Sequence, residues 1–413
     1  MFDVAIVGAG PAGAWTAQSL VRLGARVLLL DGSHPREKPC GGGITGRALA
    51  LVGDTVDGAT AQAVRITSAR FVDSQTGRGT SSGLAGRPAS GAELVSYTVP
   101  LESTAGLVVS SRRQFDACLL DAACEVGAAF TPARVTGISR LESGFCLRTT
   151  AGQFQARLLV GADGANSLVR RTFDTPLRRS QISIATGFFA HGVTSNEIVI
   201  ELLDDPPGYL WSFPRPDHLA IGICAQADAG VGPGPLRDRA ARWIHDTGLG
   251  AGSTLSAYSW PIPSLSAGDL PGATLHGQDW LLVGDAAGLV DPITREGIFF
   301  ALQSGSFAAT AIGAGCIDRY GAAVRRDILP ELTRAARLKD GFFRPRFRHL
   351  VMDALRTSAP VRQVMADLIA GTQPYRSLKW RLVRTFEIGL AARLLSARAR
   401  DSRLVPAPVP AAD

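Results

Sequence analysis

The sequence predicts an α/β fold: a nucleotide-binding domain assembled from discontinuous segments, a β-rich substrate domain inserted between them, and a helical C-terminal region. Three observations carry that expectation. A glycine fingerprint stands between an apolar strand and a helix within the first 30 residues. Two further glycine turns, at Gly161 and Gly284, each follow an apolar strand. Between them lie short alternating runs broken by Gly and Ser, the pattern of antiparallel strands. The expected division assigns 1–63, 108–176 and 271–330 to the nucleotide-binding domain, 64–107 and 177–270 to the β-rich domain, and 331–413 to the helical region.

Taken in order, Asp3 to Val7 reads as a strand, Gly8 to Gly13 as a tight turn, Ala14 to Leu23 as a helix and Arg26 to Leu30 as a second strand, a βαβ unit. Val64 to Val109 reads as antiparallel strands of another layer. Arg112 to Gly127 returns to helical period, with Phe115, Leu119, Leu120 and Ala123 on one face, and Phe145 to Gly161 reads as a hairpin. Residues 177–270 are strand-rich around one helical stretch, Leu236 to His245. Trp280 to Val283 is a buried strand, followed by helix from Ala286 to about Ile317; helix is expected to about Arg400, before a frayed proline-rich end. The window Gly297 to Ile317 has 21 residues without a charge, long enough to cross a membrane. Its many Gly, Ala, Ser and Thr residues suit a helix buried inside a domain better.

The chain has 413 residues, 46% hydrophobic and 19% charged, which excludes disorder, collagen and coiled coil. Six cysteines without a Cys-x-x-Cys pair exclude a disulfide framework and a zinc cluster, so a reducing compartment and no metal are expected. No secretory signal fits before the first strand, and the protein is expected to be cytoplasmic. Residues 331–413 carry 16 Lys and Arg against 7 Asp and Glu, whereas residues 1–330 carry 27 against 29. The basic C-terminal region suits a peripheral membrane contact, a diphosphate substrate or an acidic carrier protein, with a solvated helical face as the plainer reading. It lacks the motifs of a nucleic-acid binder, and nucleic acid is not an expected partner.

The fingerprint is Gly8-x-Gly10-x-x-Gly13, with Pro11 and Ala12 inside it. The first glycine makes the turn, the second admits a pyrophosphate and the third allows close helix packing. Asp31, followed by Gly32, ends the second strand, where a carboxylate accepts from a ribose hydroxyl and disfavours a 2′-phosphate. That suits FAD or NAD. The downstream turn Gly284-Asp285 separates the two, since its carboxylate can hold a flavin ribityl hydroxyl and the following helix offers positive potential to the flavin pyrimidine ring.

A third turn runs Gly161-Ala162-Asp163-Gly164-Ala165-Asn166-Ser167, with Arg170 beyond it. Together GAGPAG, GADGANSLVR and GDAAG resemble the FAD-dependent oxidoreductases of the p-hydroxybenzoate hydroxylase superfamily, over residues 1 to about 310. The resemblance implies a Rossmann-like FAD-binding domain (GR2 type), with Asp163 by the pyrophosphate and Arg112 of RRQFDACL, or alternatively Arg113, on a flavin phosphate. Two stretches resemble the geranylgeranyl reductases more narrowly. Arg36-Glu37-Lys38-Pro39-Cys40-Gly41-Gly42-Gly43-Ile44 is similar to their R-x-K-x-C-G-G-G loop, and Tyr209-Leu210-Trp211-Ser212-Phe213-Pro214-Arg215 to their Y-x-W-x-F-P-K signature. Asp291-Pro292-Ile293-Thr294-Arg295-Glu296-Gly297-Ile298 parallels a further family segment. The resemblance places Arg36, Cys40, Gly41, Gly42, Gly43, Gly297 and Ile298 on the cofactor, and Cys40, Trp211, Phe213 and Arg295 at the reacting centre.

Consecutive glycines let backbone approach a flat ring, and Tyr209, Trp211 and Phe213 alternate on one strand face, where they can wall an apolar tunnel. His218 reads as a satisfied surface histidine in a turn. Arg295 stands where the family has glycine, and Arg215 where it has lysine. The family implies that FAD, reduced by NAD(P)H or another external electron donor, delivers hydride to a carbon-carbon double bond of a prenyl or other hydrophobic substrate. An FAD-dependent monooxygenase or halogenase acting on an aromatic substrate is the rival, favoured by the crowding Arg295 implies. A non-catalytic prenyl binder is the third reading.

Overall fold

The computed structural model describes residues 1–57, 62–73, 95–101 and 106–384. Its first sheet grows from apolar runs such as Val27–Leu30, buried along their whole length, which is the habit of parallel strands covered on both faces. Five strands lie parallel in the order Ala129–Thr131, Val27–Leu30, Phe2–Val7, Gly152–Gly161 and Trp280–Leu282. The start of Gly152–Gly161 also forms the expected hairpin with Gly144–Thr149, and a strand the sequence reading missed, Val135–Leu141, extends it. Val7 pairs with Gly161, and Gly161 with Leu282. The three glycine turns therefore leave the sheet side by side at its carboxyl edge.

At the first turn Gly8 has φ +103°, and a Cβ on Gly13 would sit 1.8 Å from the Gly8 carbonyl oxygen. The helix Pro11–Arg22 starts there, with proline in its first turn. It packs against Ile298–Gly313, where a Cβ on Gly305 would lie 2.8 Å from Thr16 Oγ1 and 3.1 Å from the Ala12 oxygen. Close helix contact thus accounts for the small residues of the uncharged window. That helix has 16 residues, and none among the described residues is long and apolar enough to cross a membrane.

The second sheet has the order Thr254–Pro263, Ile182–His191, His218–Gln226, Pro207–Pro214, Glu197–Asp204, Ser68–Asp73 and Val95–Pro100. Neighbours are antiparallel except Glu197–Asp204 and Ser68–Asp73, which run parallel. The helix Pro233–Thr247 buries Leu236, Trp243 and Ile244 against one face. The other face carries Tyr209, Trp211 and Phe213 toward the first sheet. Helices Leu329–Phe342, Pro345–Thr357, Ala359–Ile369 and Tyr375–Arg384 follow, two of them lying over the Val95–Pro100 edge. Buried Arg348 fixes them there through a 2.8 Å bond from Nη1 to Asp73 Oδ1.

Two expectations need correction. Residues Gly284–Ala287 form a single 3₁₀ turn, and the α-helix begins only at Ile298, because Gly288 at φ +77° diverts the chain into a loop. His218 is the first residue of a strand, 3% exposed, with Nδ1 2.7 Å from Asp217 Oδ1. Its ring is buried against those of Phe189 and His191, with centroids 5.1 and 5.3 Å away. The stretch 74–94, part of the expected antiparallel layer, and the expected helix and proline-rich end beyond 384 lie outside the described residues.

Gly13→Ala is expected to destabilise the protein by about 3 kcal/mol, since the new methyl meets backbone that cannot yield. Gly272→Ala, where nothing lies within 4 Å of the added carbon, is expected to stay within about 0.5 kcal/mol. Denaturant titration of both variants checks the pair.

Candidate cofactor and substrate site

The turns, the glycine loop and the second sheet enclose one continuous cavity of about 2190 Å³. Gly8, Gly10, Pro11, Ala12, Asp31, Gly32, Arg36, Arg112, Asp163, Asp285, Gly297 and Ile298 line its polar end, together with the loop Cys40, Gly41, Gly42 and Gly43; Trp211, Phe213 and Arg295 line it further in. Gly13 and Gly284 do not reach the cavity. They act in packing, Gly13 against the Gly8 carbonyl and Gly284 between Ala12 and Ala301.

The helices Pro11–Arg22 and Ile298–Gly313 present their N-termini here, capped by Gly10 and Gly297 without any side-chain acceptor. By contrast, Ser111 and Ser167 cap the helices Arg112–Glu125 and Leu168–Phe173. Free N–H groups and the aligned helix dipoles of the first pair suit a pyrophosphate at one and the electron-rich edge of a flavin at the other. A Cβ on Gly10 would touch nothing nearer than the His34 ring at 3.5 Å, which leaves the cradle open to a ligand. The residues present therefore fit FAD.

Asp163 and Arg112 are less available than the motifs suggest. Asp163 Oδ1 accepts from Ser167 Oγ at 2.5 Å and Oδ2 from the Leu168 and Val169 N–H groups at 2.6 and 3.2 Å, so its carboxylate holds its own turn together. Arg112 closes a bidentate fork on Asp116, with Nε and Nη2 donating at 2.9 and 2.8 Å, and has Nη1 left 3.4 Å from Cys40 Sγ. Arg113 is exposed and off the cavity.

Asp31 belongs to the same network. Its Oδ2 accepts from the Ala9 N–H at 3.0 Å and its Oδ1 from the Ser33 N–H at 2.7 Å. His34, which the sequence reading passed over, links the two carboxylates: Nδ1 lies 3.1 Å from Asp31 Oδ2 and Nε2 2.9 Å from Asp116 Oδ2. Burial alone would lower the His34 pKa, but the bonds to Asp116 and Asp31 outweigh it and raise it. The same contacts hold the Asp31 carboxyl below its usual range against the effect of burial. Only the third-neighbour spacing from Asp31 could have drawn attention to His34.

The glycine loop owes its glycines to the protein itself. A Cβ on Gly41 or Gly43 would lie 3.0 or 3.2 Å from the Phe213 ring, and one on Gly42 would lie 2.6 Å from the Ser110 oxygen. Arg215 clamps the loop from the second sheet: Nη1 pairs with Glu37, and Nη2 donates to the Cys40 oxygen at 2.6 Å. A lysine has one centre where this site uses two, a physical reason for arginine here. Glu37 also accepts from Ser111 Oγ at 2.6 Å and the Arg112 N–H at 2.9 Å. Lys38 Nζ lies 3.4 Å from Asp285 Oδ2, joining the loop to the third turn. Arg36 lies over the Trp260 ring at 4.6 Å.

Asp291 shapes the segment ahead of the last helix by accepting the Ile293 and Thr294 N–H groups at 2.7 and 2.9 Å. Arg295 follows at φ +61°, the one non-glycine with positive φ among the described residues. Its Nη1 donates to Ser264 Oγ at 2.5 Å, which draws the guanidinium toward the end of the strand Thr254–Pro263.

Two measurements check these assignments. Raised above its ordinary value of 6.5 in the folded protein, charged His34 contributes stability that is complete below that pH and is lost as pH rises through the folded pKa. Denaturation midpoints should fall as pH rises above His34's ordinary value of 6.5 and through its raised folded pKa, and His34→Gln should flatten that fall while costing about 3 kcal/mol at low pH. At Arg295, replacement by glycine should stay within about 1 kcal/mol of the parent, whereas Arg295→Val should cost about 2 kcal/mol more than glycine, read by the same titration.

A sequence-family model described as an FAD binding domain matches residues 1–198. The geranylgeranyl diphosphate reductase of Rhodobacter capsulatus is 30% identical over 331 residues, 75% of this chain and 74% of the relative. The menaquinone reductase of Mycolicibacterium smegmatis is 26% identical over 424 aligned positions, covering 96% of this chain and 98% of the relative. Among solved structures, a geranylgeranyl bacteriochlorophyll reductase-like protein from Thermoplasma acidophilum superimposes with a TM-score of 0.71 at 21% identity, over 93% of this chain and 99% of that one. Matching the Rhodobacter capsulatus enzyme along three quarters of both chains, the chain belongs to the geranylgeranyl reductase family and is an FAD-dependent oxidoreductase.

Proposed function

We propose that the protein reduces carbon-carbon double bonds of a prenyl or similarly long hydrophobic substrate. One observation carries the reading: the cavity runs on from Trp211 and Phe213 into a channel walled by Phe71, Ile200, Leu202, Phe342, Met365 and Ile369. Its volume of about 2190 Å³ exceeds the roughly 300–1,000 Å³ of a site for one small ligand, which suits a cofactor and an extended chain together. Bound FAD, reduced by NAD(P)H or another external donor, supplies the hydride.

The residues of the chain bind, orient and exclude water. Trp211 and Phe213 form an apolar wall beside the glycine loop, against which a hydrophobic chain can be positioned. The second-sheet and C-terminal helix side chains keep the channel dry, and a chain of methyl-branched double bonds gains by leaving water for it. Glu37 and Arg215 hold the loop carrying Cys40 against that wall. Hydride to one carbon and a proton to the other would add two hydrogens per double bond. The oxygenase reading draws on crowding by Arg295, which lines the cavity with its guanidinium held by Ser264; the largely apolar lining beyond Trp211 favours the prenyl reading over it.

Anaerobic incubation of the dithionite-reduced holoprotein with geranylgeranyl diphosphate, followed by mass spectrometry, should show products heavier by two hydrogens per bond reduced. Oxygen-dependent hydroxylation or halogenation of an aromatic compound, with no such products, would refute the proposal. Met365→Trp, narrowing the channel, should lower kcat/KM for the long chain about tenfold, or about 1.4 kcal/mol, leaving the bound-flavin absorbance unchanged.

A further inference from the structure

The channel continues between the C-terminal helices to a mouth bordered by Leu338, Leu378, Lys379, Leu382 and Val383. Apolar residues are unusually exposed there: Leu338 is 44% exposed, Leu382 40% and Val383 59%. Trp380 on the same helix, Tyr375–Arg384, is 70% exposed. At 100° per residue, Tyr375, Leu378 and Leu382 share the side toward the cavity, Trp380 lies on the outer side, and Val383, three residues on from Trp380, lies between the two at the rim of the mouth. Arg376, Lys379 and Arg384 are exposed beside Trp380 and Val383, and the helix contains no acidic residue. Arg381 is turned away, its Nη1 donating to Gln373 Oε1 at 2.6 Å and its Nη2 paired with Asp367.

We propose that this face docks on an anionic lipid bilayer and that the prenyl chain enters from the leaflet past Leu382 and Val383. A protruding tryptophan and valine ringed by cations match an interface whose surface is anionic and whose interior is apolar. An acidic carrier protein would answer the cations but leave the apolar pair facing a polar partner. A bilayer at the mouth also lets a water-insoluble chain reach the cavity without crossing solvent. The docking surface stands on its own observations; the identity of the entering chain rests on the prenyl reading.

Flotation of the oxidised holoenzyme with vesicles of phosphatidylcholine alone, or with a third phosphatidylglycerol, tests the face without substrate. Binding should be at least about tenfold tighter to the anionic vesicles and should weaken with salt. Trp380→Glu with Val383→Glu should reduce it a further order of magnitude, with flavin content and thermal transition unchanged, while Trp380→Phe should retain most of it. Equal binding to both vesicle types, full binding by the double variant, or no vesicle binding at all, as a face made for an acidic carrier would give, overturns the proposal. Reduction of detergent-dispersed geranylgeranyl diphosphate is read separately. Activity there without vesicle binding overturns the docking face alone, and vesicle binding without such activity overturns the prenyl reading while sustaining the face.

Discussion

Three parallel strands that end level with one another decide where the functional parts of this molecule can lie. Because Val7, Gly161 and Leu282 are neighbours across the first sheet, the chain leaves it three times at one edge. Parallel strands present their carboxyl ends together, and helices starting there add their dipoles to the opening. The space above that edge is narrow, and backbone comes within van der Waals range of backbone. Gly8 illustrates it, since a Cβ there would lie 2.3 Å from the Ala162 oxygen.

A buried ionic network holds these turns in relation to the rest. Asp31, His34, Asp116 and Arg112 run from the first turn to the helix Arg112–Glu125, and Glu37 with Arg215 joins the glycine loop to the second sheet. Buried charges are tolerable only when paired, so each member restricts the placing of its neighbours. The arrangement converts pairings between distant segments into a fixed position for Cys40, whose sulfur lies 3.4 Å from Arg112 Nη1 and 3.8 Å from Arg215 Nη2.

The cavity changes character along its length. Near the glycine turns it is walled by backbone N–H groups and charged side chains, which suits phosphate and ribityl hydroxyls; beyond Trp211 the walls are side chains of the second sheet and C-terminal helices, largely apolar but with Arg337, Arg344, Arg346, His349 and Lys379 among them. Of the three positions that depart from the family pattern, Asp31 in place of glutamate, Arg215 and Arg295, the last two fit this division. Arg215 supplies the forked donor that Glu37 and the Cys40 oxygen both use. Arg295 occupies a glycine conformation and is held by Ser264.

Much of the fold was legible because its signals are local. A strand, a glycine turn and a helix are neighbours in sequence, so Gly8 to Gly13 could be read without any partner, as could the helix Arg112–Glu125 from the period of Phe115, Leu119, Leu120 and Ala123. The alternation of Tyr209, Trp211 and Phe213 placed them on one face for the same reason. What only the tertiary structure decided joins residues far apart. Glu37 and Arg215 are 178 positions distant, Lys38 and Asp285 are 247, and His34 and Asp116 are 82. No periodicity records such pairs, because side-chain charges meet only after sheets and helices have packed. The late start of the helix at Ile298, the burial of His218 and the use of the C-terminal helices as a channel wall were settled in the same way, by packing and not by neighbours along the chain.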